Sequence, residues 1–154
     1  MSHSSSNIWL HIIFSTKERS SLILSSFEEK LHQHIKNKLI TEYDSFVEII
    51  NGTDNHIHIL LKQSPNFAIS DIIKNIKGES SHWINQNDFI NRKFVWQTGY
   101  SVFSISINKV DTVREYIRNQ KEHHKKTSFL EELSYFYKVY GLDEKLSEIN
   151  QSDI

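Results

Sequence analysis

There is no cysteine among the 154 residues of this sequence, a single proline, and four glycines. The absence of cysteine excludes disulfides and thiolate metal sites, so any metal has to be held by imidazole, carboxylate or amide groups. No apolar run approaches the roughly 18 residues of a membrane span. Met1 to Ser6 lacks the basic segment and apolar core of a secretory signal. The expectation is a cytoplasmic protein with no membrane partner. There is also no marked charge of either sign: 18 Lys and Arg stand against 19 Asp and Glu, a balance that does not announce a nucleic-acid binder. The charge is uneven along the chain, however. Lys62 to Lys126 carries eleven basic and six acidic residues, which hints that this region faces an anionic partner. With 38% hydrophobic and 24% charged residues, the chain reads as folded rather than disordered. Its length suits one domain over residues 1–154, with a core about 7–132 and a polar tail about 142–154.

What is present is first of all His56-Ile57-His58, inside Gly52-Thr53-Asp54-Asn55-His56-Ile57-His58-Ile59-Leu60-Leu61. Side chains in a strand alternate faces. His56, His58 and Leu60 therefore share one face, and Ile57, Ile59 and Leu61 the other. Two imidazoles side by side on a strand are half of a metal site, although a half-buried strand can also simply tolerate them.

Around that strand the pattern is regular. Asn7 to Thr16 alternates as a first strand, with Trp9, His11 and Ile13 on one face. Phe27 to Tyr43 reads as a helix with Leu31, Ile35 and Leu39 spaced by four, and Ser25 or Ser26 as its cap. Ser45 to Ile50 is a second strand, with Asn51-Gly52 as the turn into the histidine strand. Phe67 to Ile84 is a helix with a stripe of Ile69, Ile72, Ile73 and Ile76. Ser101 to Ile107 is a fourth strand, preceded by Trp96, which with Phe103 is read as core. A third helix runs from about Lys109 to Lys126, capped by Asp111 or Asn108, and a last one from Phe129 to Tyr140, stopping at Gly141. The order β-α-β-β-α-β followed by helices predicts an α+β fold. It is a ferredoxin-like split βαβ sandwich, an antiparallel four-stranded sheet with helices, plus a C-terminal tyrosine-bearing helix.

That third helix is unusually polar. Tyr116 and Gln120 lie one turn apart on it and share a face. Tyr116 offers a hydroxyl nucleophile, and Gln120 a neutral oxygen that can complete a metal site with two histidines. A divalent ion so held keeps positions open for substrate. Mg²⁺ or Mn²⁺ would polarise a phosphodiester while the tyrosine attacks, leaving a 5′-phosphotyrosine that a second 3′-hydroxyl can reverse. The other tyrosines, Tyr43, Tyr100, Tyr135, Tyr137 and Tyr140, have apolar or aromatic neighbours and read as core or interface.

Four blocks in order carry a resemblance: Phe14-Ser15-Thr16-Lys17-Glu18-Arg19, Asn55-His56-Ile57-His58-Ile59-Leu60, Trp96-Gln97-Thr98-Gly99-Tyr100-Ser101-Val102-Phe103-Ser104, and Tyr116-Ile117-Arg118-Asn119-Gln120-Lys121-Glu122-His123-His124. Over about residues 7 to 132 the chain resembles the single-tyrosine HUH transposases of small bacterial insertion sequences and their REP-associated relatives. The resemblance implies His56 and His58 as metal ligands, Tyr116 as nucleophile and Gln120 as third ligand. It implies single-stranded DNA hairpins as substrate, and a homodimer whose active sites are shared between subunits. The chain departs from the pattern at Asn55, where many relatives have aspartate; Asp54 is a substitute.

Lys17, Arg19, Lys74, Lys77, Arg114, Arg118 and Lys121, with Lys125 and Lys126, are candidate contacts to the DNA backbone, each equally readable as a solvated charge. His123 and His124 are open between phosphate contact, proton donor and helix-end cap. Two rival functions fit the same residues: a nuclease of the replication-initiator or relaxase kind, and a non-catalytic DNA-binding descendant. A two-histidine phosphodiesterase does not fit, because it needs a hydroxyl residue two positions after each histidine.

Overall fold

A computed structural model describes residues 4–142; most of the expected polar tail lies outside the described residues. Strands β1 (Ile8–Ser15), β2 (Phe46–Gly52), β3 (His56–Gln63) and β4 (Ser101–Ile105) form one antiparallel sheet in the order β2-β3-β1-β4. The two central strands are therefore β1 and β3, as the split β-α-β pattern requires. Their register sets Ser15 opposite His56, Ile13 opposite His58 and His11 opposite Leu60.

Period-two alternation divides the sheet into two apolar faces, each covered by its own helical layer. Helices α1 (Glu28–Tyr43) and α2 (Ile69–Gln86) lay Leu31, Ile35, Leu39, Ile72, Ile73 and Ile76 against Leu10, Ile12, Phe14, Ile57, Ile59 and Leu61. Burying such a set stabilises the fold by about 1.5–3 kcal/mol per large side chain. The opposite face, the one bearing the histidines, is covered by α3 (Val110–Arg118), α4 (Gln120–His123) and α5 (Phe129–Val139). Val110 and Ile117 pack on Trp9, Leu60 and Ile105, while Phe129, Leu133 and Phe136 pack on Ile13 and Phe103. The α+β class expected from the sequence is thus the observed one. No helix of the described residues is long and apolar enough to cross a membrane.

Several local expectations change. Asn51 and Gly52 are not the turn but the last residues of β2, and the reversal falls on Thr53 to Asn55. The single third helix is interrupted at Asn119 (φ −93°, ψ 18°). Asn51 pairs with His58 in the sheet, and its side chain meets the interrupted helix. The Asn51 side-chain amide donates to the carbonyls of Ile117 at 2.9 Å and Arg118 at 3.1 Å. It thereby takes acceptors that a continuous helix would give to residues 121 and 122. The caps differ as well: α1 starts after Phe27 and α3 after Lys109, neither with a side-chain cap, so Ser25, Ser26, Asn108 and Asp111 do not fill that role. At the last helix the expectation holds, with Gly141 past its end at φ +73°. Trp96 and Phe103 are buried as expected, whereas Tyr100 and Tyr135 are exposed.

Candidate metal and tyrosine site

The histidine face of the sheet is sealed. His11, His56, His58 and Gln120 are each 0% exposed, and Glu132 of α5 is 2% exposed. An imidazole in such a place must be fixed by partners, and both histidines of β3 are. His56 Nδ1 lies 2.8 Å from Asn55 Oδ1 and 2.9 Å from Thr53 Oγ1. The Asn55 oxygen can only accept, so Nδ1 carries the proton and Nε2 keeps its lone pair. Asn55 and Thr53 therefore orient the ring. His58 Nδ1 lies 2.7 Å from His11 Nε2, across the diagonal between β3 and β1. His11 Nδ1 is buried with no hydrogen-bond partner.

Burial is the largest influence on His56, followed by repulsion from His58, and the two hold its pKa well below 6.5. His11 is held low by the same two causes. Glu132 is pushed up by burial, but the close approach of His124, the hydrogen bond from His58 and the charge of His58 outweigh this and hold it below the ordinary carboxylate range. Tyr116 is raised above its ordinary value, first by burial and then by the Glu132 carboxylate.

The sequence candidates converge here. Gln120 Oε1 is 3.0 Å from His56 Nε2, and Gln120 Nε2 donates to Glu132 Oε2 at 2.9 Å, which fixes the direction of the amide. Two lone-pair atoms facing each other at 3.0 Å repel unless a cation lies against both. Ligands at right angles around a Mg²⁺ or Mn²⁺ ion, with bonds of about 2.1 Å, stand about 3 Å apart. The donor set, two imidazoles with an amide and a carboxylate oxygen, therefore fits a hard or borderline divalent ion. The side chains of His56, His58, His124 and Glu132 place ligand atoms within 4.8 Å of one another. Tyr116 reaches the same place from α3. Its hydroxyl donates to Glu132 Oε2 and lies 3.2 Å from His123 Nε2, with its ring 6.0 Å from that of His58. All these groups belong to one chain.

Glu132 is the residue that sequence reasoning missed. A signal existed: Phe129, Leu133 and Phe136 form the apolar stripe of α5, and Glu132 stands inside it. A lone carboxylate on a buried helical face asks for a reason. The placement of His123 and His124 is also settled, with Nε2 atoms 3.4 and 3.2 Å from Glu132 Oε2.

The basic candidates do not gather into one patch. Arg114 is paired with Glu48 and Asp111, each at 2.7 Å, and Arg118 with Glu115 at 2.7 Å. Lys121 bridges Glu28, Asn51 and the Gly52 carbonyl, joining α4 to α1 and β2. Lys77 donates to the carbonyls of Gln97 and Gly99 at 2.7 and 2.6 Å, and burial lowers its pKa to about 8. Lys17 and Lys74 are exposed and Arg19 half-buried. A pocket of about 460 Å³ opens beside the site, lined by Thr53, Asn55, Lys121, His124, Lys125 and Phe129 among others.

One more buried imidazole gives a test of pH dependence. Burial, and then the charge of Lys121, lower the pKa of His32 to about 4. Between pH 6.5 and 4 the unfolded chain binds a proton at His32 that the folded chain refuses, so stability falls as pH falls through this window. The loss saturates near roughly 3 kcal/mol, and His11 and His56 act in the same direction. Urea unfolding of the metal-free chain is expected to show a lower midpoint at pH 5 than at pH 7.5, with the difference reduced in His32→Gln. Equal midpoints at both pH values would contradict the burial argument.

Two solved structures share this arrangement of sheet and helices. One is a protein of Deinococcus radiodurans R1 assigned as a transposase, with a TM-score of 0.62 at 20% identity over 78% of this chain and 95% of that one. The other is a REP-associated tyrosine transposase bound to a REP hairpin, with a TM-score of 0.61 at 15% identity over 80% of this chain and 74% of that one. At such identities the likeness is one of fold. The family follows from the sequence itself: residues 4–120 match the model of the IS200-like transposases, and the chain belongs to that family. No curated protein matches it.

Proposed function

We propose that the chain cleaves and rejoins single-stranded DNA at hairpin-marked element ends through a 5′-phosphotyrosine on Tyr116. The observation that carries this reading is the meeting of Tyr116, Gln120 and the His56–His58 pair around one buried carboxylate. His56, His58 and Gln120 would hold Mg²⁺ or Mn²⁺, which when bound withdraws charge from the phosphodiester under attack. In the step itself the bond from the Tyr116 oxygen to phosphorus forms and the bond from phosphorus to the 3′-oxygen breaks. Because its environment disfavours the free phenolate, Tyr116 keeps its proton, held by Glu132 Oε2, until it attacks. The neutral imidazole of His123, 3.2 Å from the hydroxyl, is the base within reach to take it, and the departing 3′-oxygen takes a proton from solvent. The phosphotyrosine conserves the phosphodiester bond, so a second 3′-hydroxyl reverses the step and joins new ends.

A homodimer supplies one tyrosine for each end of an element. Within the single chain Tyr116 and His58 bond the same Glu132; in a dimer with shared sites the helix of the partner subunit would bring its tyrosine to the same place. Lys17 and Lys74 are exposed and are proposed to meet DNA phosphates. The reaction would run in the cytoplasm.

The test is incubation of the full chain with a labelled single-stranded DNA hairpin and Mg²⁺ or Mn²⁺, followed by denaturing electrophoresis. A covalent protein–DNA adduct is expected, and a chelator is expected to abolish it. Retention of hairpin binding with no adduct under any divalent ion would overturn the catalytic reading in favour of a DNA-binding descendant. Cutting at one site without joining of two ends would point to the initiator or relaxase kind.

A further inference from the structure

We propose that Glu132 is the charged ligand of the metal site, presented by α5 to the histidine pair of β3. The inference rests on the reading that His56 and His58 hold a divalent ion, and goes beyond it by naming a ligand outside the tyrosine helix.

The first argument is electrostatic. A carboxylate at 2% exposure is costly unless a positive charge compensates it. Among the described residues its partners are His56, His58, Tyr116, Gln120, His123 and His124, with no lysine or arginine. The one protein counter-charge in contact is therefore an imidazolium, which is lost when the histidines give their lone pairs to a metal. A divalent ion against the carboxylate supplies the missing charge. The second argument is geometric. Glu132 Oε1 lies 2.8 Å from His58 Nε2 and 3.6 Å from His56 Nε2, spacings of neighbouring ligands around one ion. The third is chemical. Two imidazoles and an amide carry no charge, whereas Mg²⁺ and Mn²⁺ prefer anionic oxygen.

The two carboxylate oxygens divide the work. Oε1 faces the histidines. Oε2 accepts from Gln120 and Tyr116, so one side chain ties ligand and nucleophile together. Phe129, Leu133 and Phe136, buried on either side of Glu132 along α5, hold it against the sheet.

Metal binding can be read without DNA. The metal-free full chain is titrated with Mn²⁺ by calorimetry and by the electron paramagnetic resonance of the free ion. Glu132→Gln is expected to weaken binding at least tenfold, Glu132→Asp to recover part of the affinity, and His56→Ala to lose binding. Circular dichroism checks that each variant is folded. Wild-type affinity in folded Glu132→Gln, together with loss in His56→Ala, would overturn Glu132 as a ligand and leave the histidine site standing. No Mn²⁺ binding by the wild type, or undiminished binding by His56→Ala, would overturn the metal reading itself. If Glu132→Gln does not fold, Mg²⁺ titration of the wild type decides by the ¹³C resonance of the Glu132 carboxyl, assigned through Glu132→Asp. A shift saturating with Mg²⁺ supports ligation, and an unmoved resonance overturns it.

Discussion

Replacing Tyr116 with phenylalanine is expected to remove the covalent adduct completely while leaving the fold and hairpin binding in place. The ring contacts survive: Phe136 lies edge-on at 5.5 Å and His123 at 5.1 Å between centroids. Only the hydroxyl is lost, and with it one donor to Glu132. A hydrogen bond to a charged acceptor contributes about 1.5–3 kcal/mol, and Gln120 remains bonded to the same oxygen. The variant should therefore unfold at a somewhat lower temperature but still cooperatively. Among the described residues Tyr116 is the tyrosine whose hydroxyl bonds Glu132 beside the histidines, whereas the Tyr137 hydroxyl is engaged with Ser101 and Tyr100 and Tyr135 are exposed. An adduct that persists in folded Tyr116→Phe would show that the nucleophile lies elsewhere.

The second large effect concerns stability. Gly52 closes the β-hairpin that carries His56, and a Cβ added there would lie 2.1 Å from the His56 carbonyl oxygen and 2.9 Å from the Ile57 Cα. Both are backbone atoms and cannot rotate away. Gly52→Ala must push β2 and β3 apart at the position where the Thr53 amide donates to the His56 carbonyl. Overpacking that moves backbone costs about 3 kcal/mol or somewhat more, which for a chain of this size is a fall of roughly 10 °C in Tm. Metal affinity should fall as well, because the strain is applied to the residue that bears the first imidazole. Gly78→Ala is the control. It lies on exposed α2 with nothing within 4 Å of its added Cβ, and the helical preference for alanine should raise stability by about 0.5–1 kcal/mol. Equal thermal behaviour of the two variants would refute the steric account.

The strands and the two long helices were legible because their cores are periodic. Leu31, Ile35 and Leu39 announce α1, and the alternation of β1 and β3 fixes which residues share the histidine face. That His56 and His58 share one surface, and Tyr116 and Gln120 another, was legible from spacing alone; the roles proposed for them came from the family resemblance. The illegible parts depended on contacts between distant residues. Asn51 resembles a turn residue until α3 lies against it, and then its amide serves the end of that helix. Lys77, Arg114 and Lys121 look like free cations until their carbonyl and carboxylate partners are seen. Glu132 is distant in sequence from β3, and no short-range pattern links α5 to the histidines.

The interruption at Asn119 also bears on local unfolding. A helix of nine residues has almost no stability as an isolated peptide, so α3 persists through its contacts with the sheet, the Asn51 amide, and the bond and ring contact of Tyr116 to α5. Because the break severs it from α4, α3 can open as a cooperative unit of its own at a free energy well below that of global unfolding. The histidines, set in the two-sided centre of the sheet, open only with the whole fold. Amide hydrogen exchange is therefore expected to show faster exchange on the segment that carries the proposed nucleophile than on β3, which carries the proposed ligands.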